Sequence, residues 1–115
     1  MAKVFIVNQP RAPRNPDAMK YDVAPAEMFG EVVFVFEGDS QRPGSNVDWA
    51  IEHAQEVLST AEPGDFIVWA GGDPMTMVIT AAILADTLEG ELNYLAWNRS
   101  FGTYTPIPLD IFKGY

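Results

Sequence analysis

An α/β fold with a mostly parallel sheet is what this 115-residue sequence predicts, and three observations carry the prediction. Short runs rich in β-branched residues alternate with longer stretches of helical periodicity. Glycine or proline marks most junctions between them. The early runs are continuously apolar, as strands covered on both faces are. Such alternation means right-handed crossovers and helices on both faces of the sheet. Hydrophobic residues make up 48% of the chain and charged residues 20%, the balance of one folded domain spanning residues 1–115.

Lys3–Asn8 is an apolar run bounded by Gln9 and Pro10 and forms a buried first strand. Pro10, Pro13 and Pro16 then break regular structure, so residues 9–21 read as a proline-rich loop carrying Arg11 and Arg14. Asp22 can cap a short helix over residues 23–29, with Pro25 in its first turn and Gly30 as its stop. Glu31–Phe36 is the second strand, and residues 38–46 are rich in turn formers. Ser45 or Asn46 caps a helix running to about residue 61, with Val47, Ile51, Ala54, Val57, Leu58 and Ala61 as its buried stripe. Pro63 and Gly64 end it, and residues 65–70 form the third strand.

Gly71 and Gly72 then turn the chain into a helix over residues 75–88 that is apolar almost all the way round, with Gly90 as its C′ residue. Residues 91–97 form the fourth strand. Residues 98–102 turn into a last strand at 103–109, where Pro106 and Pro108 restrict pairing to one side and mark a sheet edge. The expected architecture is a small three-layer Rossmann-like sandwich of about four mostly parallel strands plus a C-terminal antiparallel edge strand.

Composition closes off much chemistry. There is no cysteine, so disulfides, thiolate metal sites and cysteine nucleophiles are excluded. His53 is the only histidine, and it lies on the second helix beside acidic residues, where a surface or boundary position is expected and not a metal ligand or general base. No catalytic residue, metal or cofactor is assigned, and an enzyme is the lesser expectation. The net charge of -9 argues against direct nucleic-acid binding, which draws on Lys and Arg. The N-terminus turns polar after six or seven residues, and no apolar run is long enough to span a bilayer, so a cytoplasmic, non-membrane protein is expected.

Charge is also unevenly placed. No Lys or Arg occurs between Pro43 and Asn98, whereas Asp48, Glu52, Glu56, Glu62, Asp65, Asp73, Asp86, Glu89 and Glu91 all fall there. Asp48, Glu52 and Glu56 are spaced four apart on one helix face, each pair costing about a few tenths of a kcal/mol. That face is either simply solvated or a docking surface for a basic partner.

Gly71 and Gly72 follow a strand and precede a helix, the place where open α/β sheets put their ligand crevice. Asp73 is placed to cap the helix with Pro74 at N1, and its carboxylate would take the free N–H groups and repel a phosphate. A neutral or cationic ligand fits better than an anion. This Gly-Gly-Asp-Pro turn, followed by a helix rich in Met and Ala, resembles the GGDP loop of the tetrapyrrole (precorrin) methyltransferases. The resemblance covers about fifteen residues and implies S-adenosylmethionine contact; those enzymes are roughly twice this length and have a second domain.

A wider pattern runs through the chain. It comprises the opening KVFIVNQP, Asp22, Phe29-Gly30-Glu31, the Gly-Asp-Pro turn, Leu95-Ala96-Trp97-Asn98-Arg99, and Tyr104, Pro106, Leu109 and Asp110. It is similar to a family of small uncharacterised proteins encoded by tailed bacteriophages. Those proteins often have Asp where this chain has Asn98, between Trp97 and Arg99. The resemblance implies a phage protein working inside a bacterial host cell and transfers no activity. Trp97, Arg99 and Tyr104 would cluster if the last two strands form a hairpin, with Arg99 stacked on a ring or paired with a carboxylate such as Asp110. They could instead face Gly72 and Asp73 across the carboxyl ends of the strands.

Three functions follow as expectations. The first is a non-enzymatic acidic accessory protein that binds a host or phage protein through Asp48, Glu52 and Glu56, and could form a homo-oligomer. The second binds a nucleotide-like or S-adenosylmethionine-like molecule through Gly71, Gly72, Asp73, Trp97, Arg99 and Tyr104. The third is a minor virion component.

Overall fold

The computed structural model describes residues 2–8, 11–12, 15–19, 23–37, 46–69 and 74–113. Among them the chain forms β1 (Lys3–Asn8), β2 (Arg11–Ala12), β3 (Asn15–Met19), α1 (Ala24–Glu27), β4 (Glu31–Phe36), α2 (Val47–Leu58), β5 (Phe66–Val68), α3 (Pro74–Thr87), β6 (Glu91–Asn98) and β7 (Thr103–Asp110). The main sheet has five strands in the order β4-β1-β5-β6-β7. The first four are parallel, and β7 returns antiparallel to β6. The fold is thus mixed α/β and mostly parallel, as the alternation of runs predicts.

The strand order explains the layers. The chain steps from β1 outward to β4, then back across β1 to β5 and β6, and right-handed crossovers place the helices of opposite steps on opposite faces. Alternate residues of β1 accordingly enter two cores. Phe5 and Val7 pack with Val35, Ala50, Ala54, Leu58, Leu84 and Leu88 under α2 and α3. Val4 and Ile6 pack with Ala26 of α1, Val68 and Leu95 on the other face.

Several local features differ from what the sequence suggests. Residues 9–21 contain a two-stranded ribbon, Arg11 pairing with Met19 and Ala12 with Asn15. Pro16 is tolerated in β3 because each strand of a two-stranded ribbon is an edge. The first helix shrinks to Ala24–Glu27, its N-cap Val23 makes no side-chain cap bond, and Asp22 lies outside the described residues. Gly30 is no left-handed stop. Its role is close approach, since a Cβ would overlap the carbonyl of Ala2, whose oxygen also accepts the Glu31 N–H.

Asn46 caps α2, its Oδ1 accepting from the Trp49 N–H at 3.1 Å. The buried stripe is rotated relative to expectation. Ala50, Ala54 and Leu58 face the sheet, while Val47 and Ile51 are exposed. Small residues at 50 and 54 let the helix approach closely, and that rotation carries Val47 and Ile51 outward.

The end of α3 is a Schellman motif displaced by one residue. Gly90 N–H donates to Ala85 O at 2.7 Å and Glu89 N–H to Asp86 O at 3.4 Å, so Glu89 is C′, at φ +55°, and Gly90 is C″, at φ +82°. Gly90 has a second reason to lack a side chain, because a Cβ would lie 2.7 Å from the ring of Phe112. Glycine here joins the helix end to the segment that follows β7.

Candidate functional site

The carboxyl ends of the parallel strands were the expected site, and the structure builds part of that edge. Asn8 ends β1, and its Nδ2 donates to Thr76 Oγ1 at 2.8 Å in the first turn of α3. This bond joins β1 and the helix after β5, the neighbouring strands from which the chain steps in opposite directions. Four residues further along α3, Thr80 is fully buried and its hydroxyl has no hydrogen-bond partner among the described residues. Gly71, Gly72 and Asp73 lie outside the described residues, so the turn itself and the expected Asp73 cap do as well.

Trp97 and Tyr104 are brought together. They are directly opposite in the β6–β7 register, with ring centroids 5.1 Å apart at 67°. Tyr104 packs into the α1-side core, and Trp97 is left half exposed. Burial first, and the neighbouring Tyr94 second, push the Tyr104 phenol above its ordinary value. It therefore stays protonated at neutral pH, a hydrogen-bond donor and no general base.

Arg99 does not join this pair. It lies exposed in the four-residue loop between Asn98 and Thr103, and no ion pair or ring contact forms on it among the described residues. The suggested partner Asp110 is opposite Glu91 at the far end of the hairpin, seven residues from Thr103 and so roughly 23 Å away. The loop is held by Asn98, whose Oδ1 accepts from the N–H groups of Ser100 at 3.0 Å and Phe101 at 3.4 Å. An aspartate offers the same acceptor, so Asn in place of Asp leaves this turn chemistry intact.

Asp48, Glu52 and Glu56 are all exposed on α2, and none has a cation partner among the described residues. Exposed Val47 and Ile51 lie on the same helix, so the outer surface of α2 is acidic and aliphatic together. His53 takes the boundary position expected of it. Its Nε2 lies 2.8 Å from Val35 O, and since a carbonyl only accepts, that nitrogen carries the hydrogen. The ring stacks on Trp49 at 5.0 Å and touches Phe36, tying α2 to β4.

Asp65 has a role that sequence reasoning missed. It is buried, with Oδ1 accepting from the Lys3 N–H at 2.9 Å and Oδ2 from the Glu62 N–H at 2.8 Å. It fastens the turn before β5 to the start of β1. The Pro63-Gly64-Asp65 sequence, a turn followed by an acid, was the available signal.

Among the described residues there is no group of three or more metal-binding side chains, and no helix is long and apolar enough to cross a membrane. A narrow crevice lined by Phe5, Asp65, Leu84, Leu88 and Leu92 lies at the opposite end of the sheet and has no room for a water molecule.

The family model described as Phage Pam3 gp32-like protein matches residues 2–111, nearly the whole chain, and the chain belongs to that family. The phage origin suggested by the dispersed sequence pattern is thereby established. No significant match was found among curated proteins or among solved structures.

Proposed function

We propose, with membership of this phage family as the premise, that the chain is a non-enzymatic accessory protein of the infected host's cytoplasm that acts by binding a basic host or phage protein. The observation that carries the reading is the outer surface of α2. Three exposed carboxylates without cation partners among the described residues flank two exposed aliphatic side chains. Charge there attracts a basic partner, and Val47 and Ile51 offer apolar area to bury. Affinity capture from host lysate, using Glu52→Gln/Glu56→Gln as the comparison, tests it. Recovery of a salt-sensitive partner that the double variant loses is expected, and recovery indifferent to salt and to the variant would remove the proposal.

A second reading is favoured by the carboxyl edge. The strand order supports a small Rossmann-like sandwich, in which a ligand would lie where the chain reverses its step, beside Asn8, Thr76 and the Gly71-Gly72-Asp73 turn. S-adenosylmethionine and nucleotides should then raise the melting temperature of wild type and not of Gly72→Val. No shift with any of them counts against this reading. A minor virion component is a third reading, and mass spectrometry of purified particles decides it.

A further inference from the structure

The two edges of the main sheet are built differently. At one edge β7 carries Pro106 and Pro108, which have no N–H to offer an added strand. At the other, β4 has the sequence EVVFVF, with no proline, lysine or glycine. It keeps one register against β1, from Lys3 opposite Glu31 to Asn8 opposite Phe36, with no bulge to twist it away. Sheet edges are ordinarily blunted by such devices, and this one lacks them.

The free backbone groups of that edge follow from the ladder. Glu31 donates its N–H to Ala2 O at 3.0 Å, so Glu31 faces β1, and by alternation Val33 and Val35 do too. Val32, Phe34 and Phe36 therefore direct their N–H and C=O groups away from the sheet, where no strand pairs with them among the described residues. Donors and acceptors at strand spacing are matched in register by another strand.

Charge at the two ends of β4 selects that strand. Glu31 and Glu37 flank the apolar run, and both are exposed. An added strand sets residues of its own directly opposite them, and Lys or Arg there is attracted at both ends. A second copy of this chain is a poor occupant. Two-fold antiparallel pairing that engages all the outward residues sets Phe34 against its own equivalent and Val32 against Phe36, which puts Glu31 of each copy opposite Glu37 of the other. We infer that the β4 edge takes up an extended segment of a basic partner protein as an added strand, apolar in its middle and with Lys or Arg opposite Glu31 and Glu37. This rests on the protein-binding reading above and deepens it, since α2, which bears Asp48, Glu52 and Glu56, is fastened to the same strand by the His53 bond to Val35 O.

A labelled heptapeptide, Lys-Val-Thr-Val-Thr-Val-Lys, its Glu-ended counterpart, and versions of the first N-methylated on either alternate set of amides test it against the full-length protein. The Lys peptide is expected to bind with salt-sensitive affinity and to slow hydrogen exchange at the Val32 and Phe34 amides, leaving β7 unchanged. N-methylation of one alternate set should abolish binding and of the other preserve it, because a strand pairs here along one edge only. Glu31→Gln/Glu37→Gln, at two exposed positions, should weaken the Lys peptide about fivefold with no change in melting temperature. Absence of binding, equal binding of the Lys and Glu peptides, indifference to both N-methylated sets, or slow exchange at Val32 and Phe34 in the free monomer would each overturn the inference. A dimer of the free protein with slow exchange there would overturn it in favour of a second copy. If the peptide fails while lysate capture still depends on Glu52 and Glu56, only the edge is lost; failure of both removes the protein-binding reading too.

Discussion

Under α2 and α3, Phe5, Val7 and Val35 of β1 and β4 are fully buried, whereas on the same side of the sheet Ile107 and Leu109 of β7 stay open to solvent. The parallel strands are joined by crossovers that bring a helix with each step. The tight loop from β6 to β7 brings none, so the last strand is added without a cover. Closure of the first half supplies most of the buried core, and the last strand is left open to solvent on that face. The two regions should therefore lose very different amounts of stability on substitution.

The largest effect belongs to the closed half. Leu58→Ala removes a fully buried side chain between α2 and the sheet and should cost about 2–5 kcal/mol in urea unfolding. Leu109→Ala on the open strand should cost less than about 1.5 kcal/mol by the same measurement, because much of that side chain is already in water. Comparable losses at the two positions would erase the distinction.

Next comes Asp65→Ala, which strips two backbone N–H groups of their acceptor and should cost about 2–4 kcal/mol. Gly90→Ala, at φ +82° and against Phe112, should cost about 1–3 kcal/mol; Phe112→Ala in the same background should recover part of it by freeing the space.

The smallest effect is a pH dependence. The Tyr104 phenol is raised in the folded state by burial and then by Tyr94, so its contribution is fully present below about pH 10, the unfolded value. It is lost as the pH rises from there through the raised folded value. Denaturation curves at alkaline pH should show a shallower loss for Tyr104→Phe than for wild type.

Most of the scaffold was legible because hydrophobic period and punctuation are local signals. The three parallel crossovers, the Asn46 cap, and Pro106 and Pro108 at an edge could all be read from neighbouring residues. The rotation of α2 could not, because Val47 and Ile51 have the right spacing and only packing against the sheet reveals that Ala50 turns inward beside the expected Ala54 and Leu58. Gly30 looked like a helix stop, yet the carbonyl of Ala2, distant in sequence, requires it. Trp97 and Tyr104 were legible as a pair once a hairpin was assumed. Arg99 could be placed beside them only by ignoring the loop that carries it away, and the open apolar face of β7 was hidden because nothing local tells which strand face lacks a helix.

Site-specific photo-crosslinking in infected cells is the most direct test that the open, helix-bearing side recognises another protein. Crosslinkers would replace Gln55 beside the α2 stripe, Leu109 on the open face of β7, and Met28, which is 82% exposed by the opposite, α1 side. Protein binding predicts discrete adducts with a basic protein from position 55 or 109 and at most a weaker one from 28. Adducts of equal yield at all three positions, or at none, would contradict it.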